Sequence, residues 1–452
     1  MVKKRSNPWR ARSANWAIHA VSRLSGGRQY QIANLVSRIR MRRRTVPEKT
    51  YETILPDGFG ARRAIVRLSV PKMPSGRIHS FSEHANSENA GLADTVIACT
   101  LGGIAISEDL GLSWKSVRLR PFAKFPILRS RLLPNGEILL VALDPHGHRP
   151  WADANNRFIV ADMHGTVLHT AKMPGAAWHG PRAVDASGGT LMYAEYPWND
   201  PRQGSDSAAH KTSRVWRSRD FGRSWRQVFE QGAVRHFHYL QARPGVTGEW
   251  WLTSGDEPEE SRNWRSTDDG DTWIDQTGTF GPFITIGNYR FSRSLFRLTD
   301  LAWAGDEIIW GSDDVLNATV ETTGSSKPAR SRGSRVFCAN PSTGMAPTVV
   351  GNCGPEVRSI VDVGKFYVLA TQSSRGFADD KPQVLLLSKP TAGCAPGLVH
   401  LFDVERHTDK RTGFTHSLAS RRADNGVFFT YRKSTDVFRA PDRILRWQIE
   451  FE

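Results

Sequence analysis

Cysteine is scarce in this chain, and its spacing excludes two kinds of fold. Only four occur in 452 residues, at Cys99, Cys338, Cys353 and Cys394. None forms a C-x-x-C pair, so neither a zinc knuckle nor a dense disulfide framework is encoded. Cys338 and Cys353 are close enough in sequence to pair, but buried reduced thiols are the expectation. Long apolar runs are also absent. No stretch approaches the roughly 20 residues that a membrane helix needs, and mean hydropathy is -0.44. Acidic residues are missing from residues 1 to 44, which hold 12 Lys or Arg. The formal net charge is +16, yet the rest of the chain has 49 basic against 45 acidic residues, or +4. The basicity therefore marks a tail, and no specific nucleic-acid partner is expected.

Within that tail, Ile32, Leu35, Val36 and Ile39 recur at helical spacing, with Arg38, Arg40 and Arg42 on the other faces. Trp16, Ala20, Val21 and Leu24 mark a shorter helix that ends at Gly26-Gly27. The expectation is a basic amphipathic helical N-terminal extension over residues 1–45. It suits an anionic membrane surface, a partner protein or an organelle-type presequence, and an arm packed on the main domain is the bland alternative. The apolar core of a secretory signal is missing. The expected location is therefore cytoplasmic, with membrane-surface association or non-classical export as alternatives.

What the chain does have is a repeated turn. Ser107-Glu108-Asp109-Leu110-Gly111-Leu112-Ser113-Trp114, Ser218-Arg219-Asp220-Phe221-Gly222-Arg223-Ser224-Trp225 and Ser266-Thr267-Asp268-Asp269-Gly270-Asp271-Thr272-Trp273 all read Ser-x-Asp-x-Gly-x-Ser/Thr-Trp. In such a hairpin turn the carboxylate accepts backbone N–H groups and glycine takes the positive-φ position. The tryptophan opens the returning strand and buries its ring.

This pattern resembles the Asp-box, or BNR repeat, of the sialidase-like β-propellers, a group that includes glycosidases and non-catalytic members. The resemblance implies that each box joins the third and fourth strands of a blade, on the rim away from the binding face. Copies two and three are 48 residues apart, one blade's length, and copies one and two are 111 apart, which leaves room for a blade without a box. The family's sialidases use three arginines, an Asp acid/base and a Glu-activated Tyr. Their Phe/Tyr-Arg-Ile-Pro segment is absent here, with Arg67-Leu68-Ser69-Val70-Pro71 the nearest approach. The resemblance therefore carries the fold and transfers no catalytic residue.

Six apolar runs each follow a polar turn: Ile138-Leu139-Leu140-Val141, Leu191-Met192-Tyr193, Trp250-Trp251-Leu252, Ile308-Ile309-Trp310, Tyr367-Val368-Leu369 and Val427-Phe428-Phe429. With the box near 95–117 they predict an all-β chain, a six- or seven-bladed β-propeller over residues 55–452. The Ser/Gly/Arg-rich stretch from Thr322 to Ser334 is expected to be an exposed loop inside one blade.

The propeller register brings one set of loops to the face opposite the boxes. Predicted starts of first strands hold Arg129, Arg131, His179, Arg182, Arg235, His236, His238, Tyr289, Arg290, Glu356, Arg358, Arg411 and His416. Predicted ends of second strands hold Asp144, His146, Glu195, Tyr196, Asp256, Glu257, Asp313, Asp314 and Arg375. Glu195, Tyr196, His236, His238, Asp256 and Asp313 are the catalytic candidates. His236 and His238, two apart on a strand, point to one side while Phe237 points into the blade. They suit proton transfer or a divalent metal, although no third ligand is visible, and otherwise no cofactor is expected. Glu195-Tyr196 suits acid/base work or a structural hydrogen bond, and Asp256 and Asp313 suit either chemistry or turn capping. Arg235, Arg290 and Arg358, with His179, are the candidate substrate-binding residues, because a guanidinium fork grips a carboxylate. Trp151, Trp178, Trp198 and Tyr239 suit sugar stacking or blade packing.

Three function classes fit. A glycoside hydrolase would use two rim carboxylates, such as Glu195 with Asp256 or Asp313. A polysaccharide lyase would neutralise a uronate with Arg235 and take a proton with His236, His238 or Tyr196. A non-catalytic propeller would bind a glycan or protein. The hydrolase acting on a glycan or polysaccharide is the leading expectation.

Overall fold

Strands of this chain are short, many of them buried on both faces, and end in turns whose glycines take left-handed backbone angles, which favours antiparallel hairpins. The computed structural model describes residues 48–57, 59, 61–69, 78, 80–81, 95–144, 156–174, 183–196, 212–232, 234–255, 257–313, 317–320, 329–372, 383–389, 397–403, 415–418, 427–433 and 444–452. Among these residues the chain forms eight antiparallel sheets and no α-helix, a β-propeller architecture. None of their helical segments is long and apolar enough to cross a membrane. The expected extension over residues 1–45 lies outside the described residues.

Six sheets are built from four strands each, ordered as a meander. The first comprises Ser80–Phe81, Val96–Thr100, Gly103–Ser107 and Lys115–Arg118. The second runs from Ile127–Leu132 to Val167–Lys172, the third from Val184–Ser187 to Arg226–Gln231, and the fourth from Phe237–Ala242 to Ile274–Asp275. The fifth comprises Leu298–Ala304, Glu307–Ser312, Ser334–Ala339 and Thr348–Gly354, and the sixth runs from Glu356–Asp362 to Leu398–Asp403. A seventh, five-stranded sheet joins distant parts of the chain. Its strands Thr415–Leu418, Val427–Lys433 and Ile444–Phe451 continue into Arg63–Ser69 and then Lys49–Ile54.

These seven sheets meet in a cycle. Ser80 Oγ of the first donates to Leu128 O of the second at 2.6 Å. Buried Arg131 of the second pairs with Asp185 of the third, whose other oxygen accepts Ala242 N of the fourth at 3.0 Å. Thr253 Oγ1 of the fourth reaches Leu298 O of the fifth at 3.0 Å, and Asp300 of the fifth accepts Ile360 N of the sixth at 2.7 Å. Tyr51 of the seventh stacks on Phe402 of the sixth at 5.4 Å, and Arg446 Nε of the seventh donates to Leu110 O beside the first sheet at 2.9 Å, closing the loop.

Each of the six apolar runs is the second strand of its sheet, which sits between two partner strands and between two sheet faces. In the first five, that position explains the lack of polar alternation, since both faces are buried. Trp250, Trp251, Trp310, Tyr193 and Tyr367 there are fully enclosed.

The three repeated turns join third to fourth strands in the first, third and fourth sheets, and their bonding is the same each time. Asp109 Oδ1 accepts Ser107 Oγ at 2.7 Å and Ser113 N at 2.8 Å, while Oδ2 accepts Ser113 Oγ at 2.6 Å. Asp220 and Asp268 repeat this with Ser218, Ser224, Ser266 and Thr272. Two details differ from expectation. The residue before each glycine is also left-handed, with φ of 55° at Leu110 and Phe221 and 59° at Asp269. The three tryptophans are only half-buried, because the turn stands at a rim. Each turn also fastens its sheet to the one before it: Arg223 bonds Glu137 at 2.8 Å, and Arg217 Nη1 donates to Asp269 O at 2.6 Å.

The eighth sheet is assembled from two insertions. Hairpin Phe283–Ile286/Tyr289–Ser292 interrupts the path from the fourth sheet to the fifth, and hairpin Asn317–Val320/Ala329–Arg332 interrupts the path from the second to the third strand of the fifth. Tyr289 pairs with Val320 and Arg290 with Thr319, which joins the hairpins into one sheet. The expected loop from Thr322 to Ser334 is corrected accordingly. Backbone pairing with 317–320 turns its Ala329–Arg332 portion into a strand, and Ser334 opens another.

Candidate functional site

In an antiparallel meander, first-strand starts and second-strand ends share one edge, and turns between third and fourth strands lie on the other. The aspartate turns therefore leave the opposite face to the candidate residues. Backbone irregularity adds to that face. Pairing of first with second strands shifts register at Ile127/Arg129, Phe237/Tyr239, Leu298/Leu301 and Val357/Ser359. His238 and Arg358 are the residues skipped in two of these bulges. A bulge re-aims the side chain of its extra residue, a common device beside functional sites.

One cluster sits between the third and fourth sheets. His236 Nε2 and His238 Nε2 approach to 3.0 Å, both rings being buried, while Phe237 lies in the apolar core as expected. The Tyr196 ring stacks on His236 with centroids 3.9 Å apart and interplanar angle 19°. Glu195 ends the neighbouring strand, but its carboxylate turns into its own sheet. It accepts Trp216 Nε1 at 2.9 Å and Arg214 N at 3.2 Å. Burial raises its pKa against those donors. Its backbone carbonyl accepts Phe237 N at 3.1 Å, tying the two sheets together.

A second cluster sits between the fifth and sixth sheets. Arg358 pairs with Asp313 through one nitrogen and with Glu356 Oε2 at 3.0 Å through another. Arg297 Nε lies 3.5 Å from Asp313 Oδ2, and Gln372 Nε2 donates to Glu356 at 2.5 Å. The Asp313 side chain is 3% exposed and that of Glu356 13%. Burial pushes the Glu356 carboxyl up, Arg358 opposes, and the charge of Asp313 pushes it further up.

The other candidates are separate. Arg235 is held by the chain's own Glu260, at 2.9 Å, and Glu257, at 3.2 Å. Arg290 is exposed in the eighth sheet, over the Phe283 ring at 4.4 Å. Tyr239 is fully buried and donates to Gln241 at 2.6 Å, so it packs the blade. His179, Asp256, Trp151, Trp178 and Trp198 lie outside the described residues, as does Cys394. Cys99, Cys338 and Cys353 are free, buried thiols. Among the described residues no three His, Cys, Asp or Glu side chains gather as a metal site.

Sequence reasoning missed Arg297 and the bulges and did not rank Glu356 among the catalytic candidates. No local pattern announces Arg297, which precedes its strand by one residue and meets Asp313 only through the pairing of two strands.

No protein-family profile and no curated protein sequence matches the chain. Among solved structures, the chain is similar to a GH74 xyloglucanase from Xanthomonas campestris, with 13% identity and TM-score 0.48, over 89% of this chain and 55% of that one. A GH74 enzyme from Niastella koreensis gives 11% identity and TM-score 0.44, over 81% and 60%. YCF48 from Cyanidioschyzon merolae gives 9% identity and TM-score 0.41, over 85% and 98%. The chain thus spans less than two thirds of the length of either GH74 enzyme.

Proposed function

We propose that this chain is a seven-bladed propeller that hydrolyses a glycosidic bond in an acidic glycan. The seven sheets of the contact cycle are its blades, and the eighth stands over the fifth. Glu356 is the general acid and Asp313 its partner carboxylate. The observation that carries this reading is the one Arg358 guanidinium gripped by both groups, with the proton affinity of Glu356 raised by burial and by the charge of Asp313. A carboxyl held towards its protonated form beside a second carboxylate is what a general acid and its partner require. Protonation of Glu356 weakens its hold on Arg358. That frees a guanidinium edge for a carboxylate of the glycan, so acidity of the substrate and readiness of the acid are coupled. A thiolate nucleophile has less support: burial pushes the Cys338 and Cys353 thiols up to about 12.

The imidazole pair favours a second reading, β-elimination at a uronate. At 3.0 Å one ring nitrogen donates and the other accepts, an arrangement that could relay a proton. Tyr196 lies against that pair.

The test is a screen of acidic and neutral polysaccharides read for reducing ends and for the ultraviolet absorbance of unsaturated uronides. Hydrolysis predicts reducing ends without absorbance, and a loss of about 10²–10⁴-fold in Glu356→Gln. Full turnover in that variant removes the assignment. An absorbing product lost in His236→Ala, His238→Ala moves it to elimination, and retention of glycan without any product makes the chain a binding propeller.

A further inference from the structure

The arginines near the candidate face are mostly held by the chain's own carboxylates: Arg235 by Glu257 and Glu260, Arg297 and Arg358 by Asp313, Arg214 by Glu195 and Glu230. Arg290 is different. It is exposed, no Asp or Glu among the described residues pairs with it, and its guanidinium carbon rests 4.4 Å from the centre of the Phe283 ring, itself 56% exposed. Weakly hydrated and stacked on an aromatic face, such a guanidinium keeps its outer N–H groups for an anion.

The sequence of its sheet carries the same sign. The four strands of the eighth sheet contain Arg290, Arg330 and Arg332 and no Asp or Glu. No acidic residue occurs between Asp275 and Asp300, or between Glu321 and Glu356. The register runs Thr285, Arg290, Thr319, Arg330 straight across the four strands. The platform is also firm underneath. Ile284 and Phe291 are buried with Phe296, Trp310 and Phe337 of the fifth blade, and Phe291 meets Phe337 edge-on at 5.5 Å. Both hairpins leave the fifth sheet at the edge where Arg297 and Asp313 stand. Along the chain the platform is therefore anchored beside Arg297 and Asp313.

We infer that the eighth sheet is a landing surface for an anionic stretch of the glycan chain, with Arg290 clamping a carboxylate and Phe283 lying against a sugar ring. The identity of the ligand as a glycan rests on the function proposed above; the surface itself rests on charge and exposure. Sugar rings present an apolar C–H face that suits an exposed aromatic, and four strands without Asp or Glu attract negative charge, no carboxylate among the described residues competing for Arg290.

The experiment measures binding of the full chain to polygalacturonate at about 0.15 M salt, where exposed charges are screened beyond about 8 Å. Arg290→Ala removes the clamp, and Thr285→Glu places a carboxylate directly opposite Arg290. Both positions are exposed, so the fold is kept, and the basic residues 1–44 contribute equally to every variant. Each variant is expected to weaken binding about five- to tenfold, with neutral dextran failing to compete. Changes under about twofold in both variants overturn the inference, as does displacement of polygalacturonate by duplex DNA at lower charge-equivalent concentration. Arg290-dependent binding without any product keeps the surface and removes the hydrolase. Cleavage with unaltered binding in both variants does the reverse.

Discussion

Loss of the Asp185 carboxylate should cost this fold heavily for the few atoms removed. Its side chain is 2% exposed and faces the Arg131 guanidinium, which is 5% exposed. Its two oxygens also accept Ala186 N at 2.8 Å and Ala242 N at 3.0 Å, so one carboxylate ties the second, third and fourth sheets together. Asp185→Ala leaves a buried guanidinium without this partner, a cost of about 3–5 kcal/mol. Two backbone N–H groups lose their acceptor as well, at about 1–3 kcal/mol each before relaxation. Because these terms overlap, we expect a total near 5 kcal/mol, comparable with the whole stability of many domains. Urea unfolding followed by tryptophan fluorescence measures it, and Arg131→Met with Asp185→Asn should recover at least half by removing the stranded charge. A loss below about 1.5 kcal/mol in Asp185→Ala, or no recovery in the pair, refutes this account of how the inner strands are joined.

The aspartate turns predict an acid limb. Burial alone would raise Asp109, but the Ser113 hydroxyl and N–H and the Ser107 hydroxyl outweigh it and lower the carboxyl from 3.8 to about 2; Asp220 and Asp268 are lowered in the same way. Folding therefore favours the ionised form, and this stability, complete above the unfolded value, drains away as pH falls from 3.8 towards about 2. Unfolding midpoints measured across that window should drop less in the Asp109→Asn, Asp220→Asn, Asp268→Asn triple variant, and parallel curves would contradict the turn chemistry. Catalysis by Glu356 predicts the opposite limb: the acid works protonated, so turnover should fall as pH rises through its elevated pKa, and Glu356→Gln should abolish that limb. Gly311→Ala sets a Cβ 2.2 Å from the Val357 Cβ across the junction of the fifth and sixth sheets. A loss of about 1–3 kcal/mol in thermal unfolding is expected, and an unchanged melt would mean that this junction is loosely packed.

Much of the architecture was legible because its causes are local. A Ser-x-Asp-x-Gly-x-Ser/Thr-Trp octapeptide closes its own hydrogen bonds, so three copies announced three like turns, and the structure finds each between third and fourth strands. The second sheet shows how the signal fades. There Asp162 accepts His164 N at 2.9 Å and Thr166 N at 2.8 Å, an abbreviated turn with no tryptophan to reveal it. Where pairing is remote, the reading failed. Thr322 to Ser334 looks like a loop by composition, and only its partner at 317–320 gives part of it a strand conformation.

For the candidate site the division is sharper. Strand alternation expected His236 and His238 to share a side with Phe237 in the core, and the two rings do meet, but His238 reaches its neighbour as the extra residue of a bulge. Alternation could not say that Arg358 is the extra residue of a bulge, that Glu195 turns inward to Trp216, or that Arg235 is already held by Glu257 and Glu260. By itself the sequence determined the strands, the turns and which residue types gather along one rim, since each depends on neighbours a few positions away. Which of those groups face one another, and which are already paired within the chain, was decided only by the packing of sheet against sheet. Charges and bulges couple across sheets through space, between residues tens of positions apart, and no local spacing records that distance.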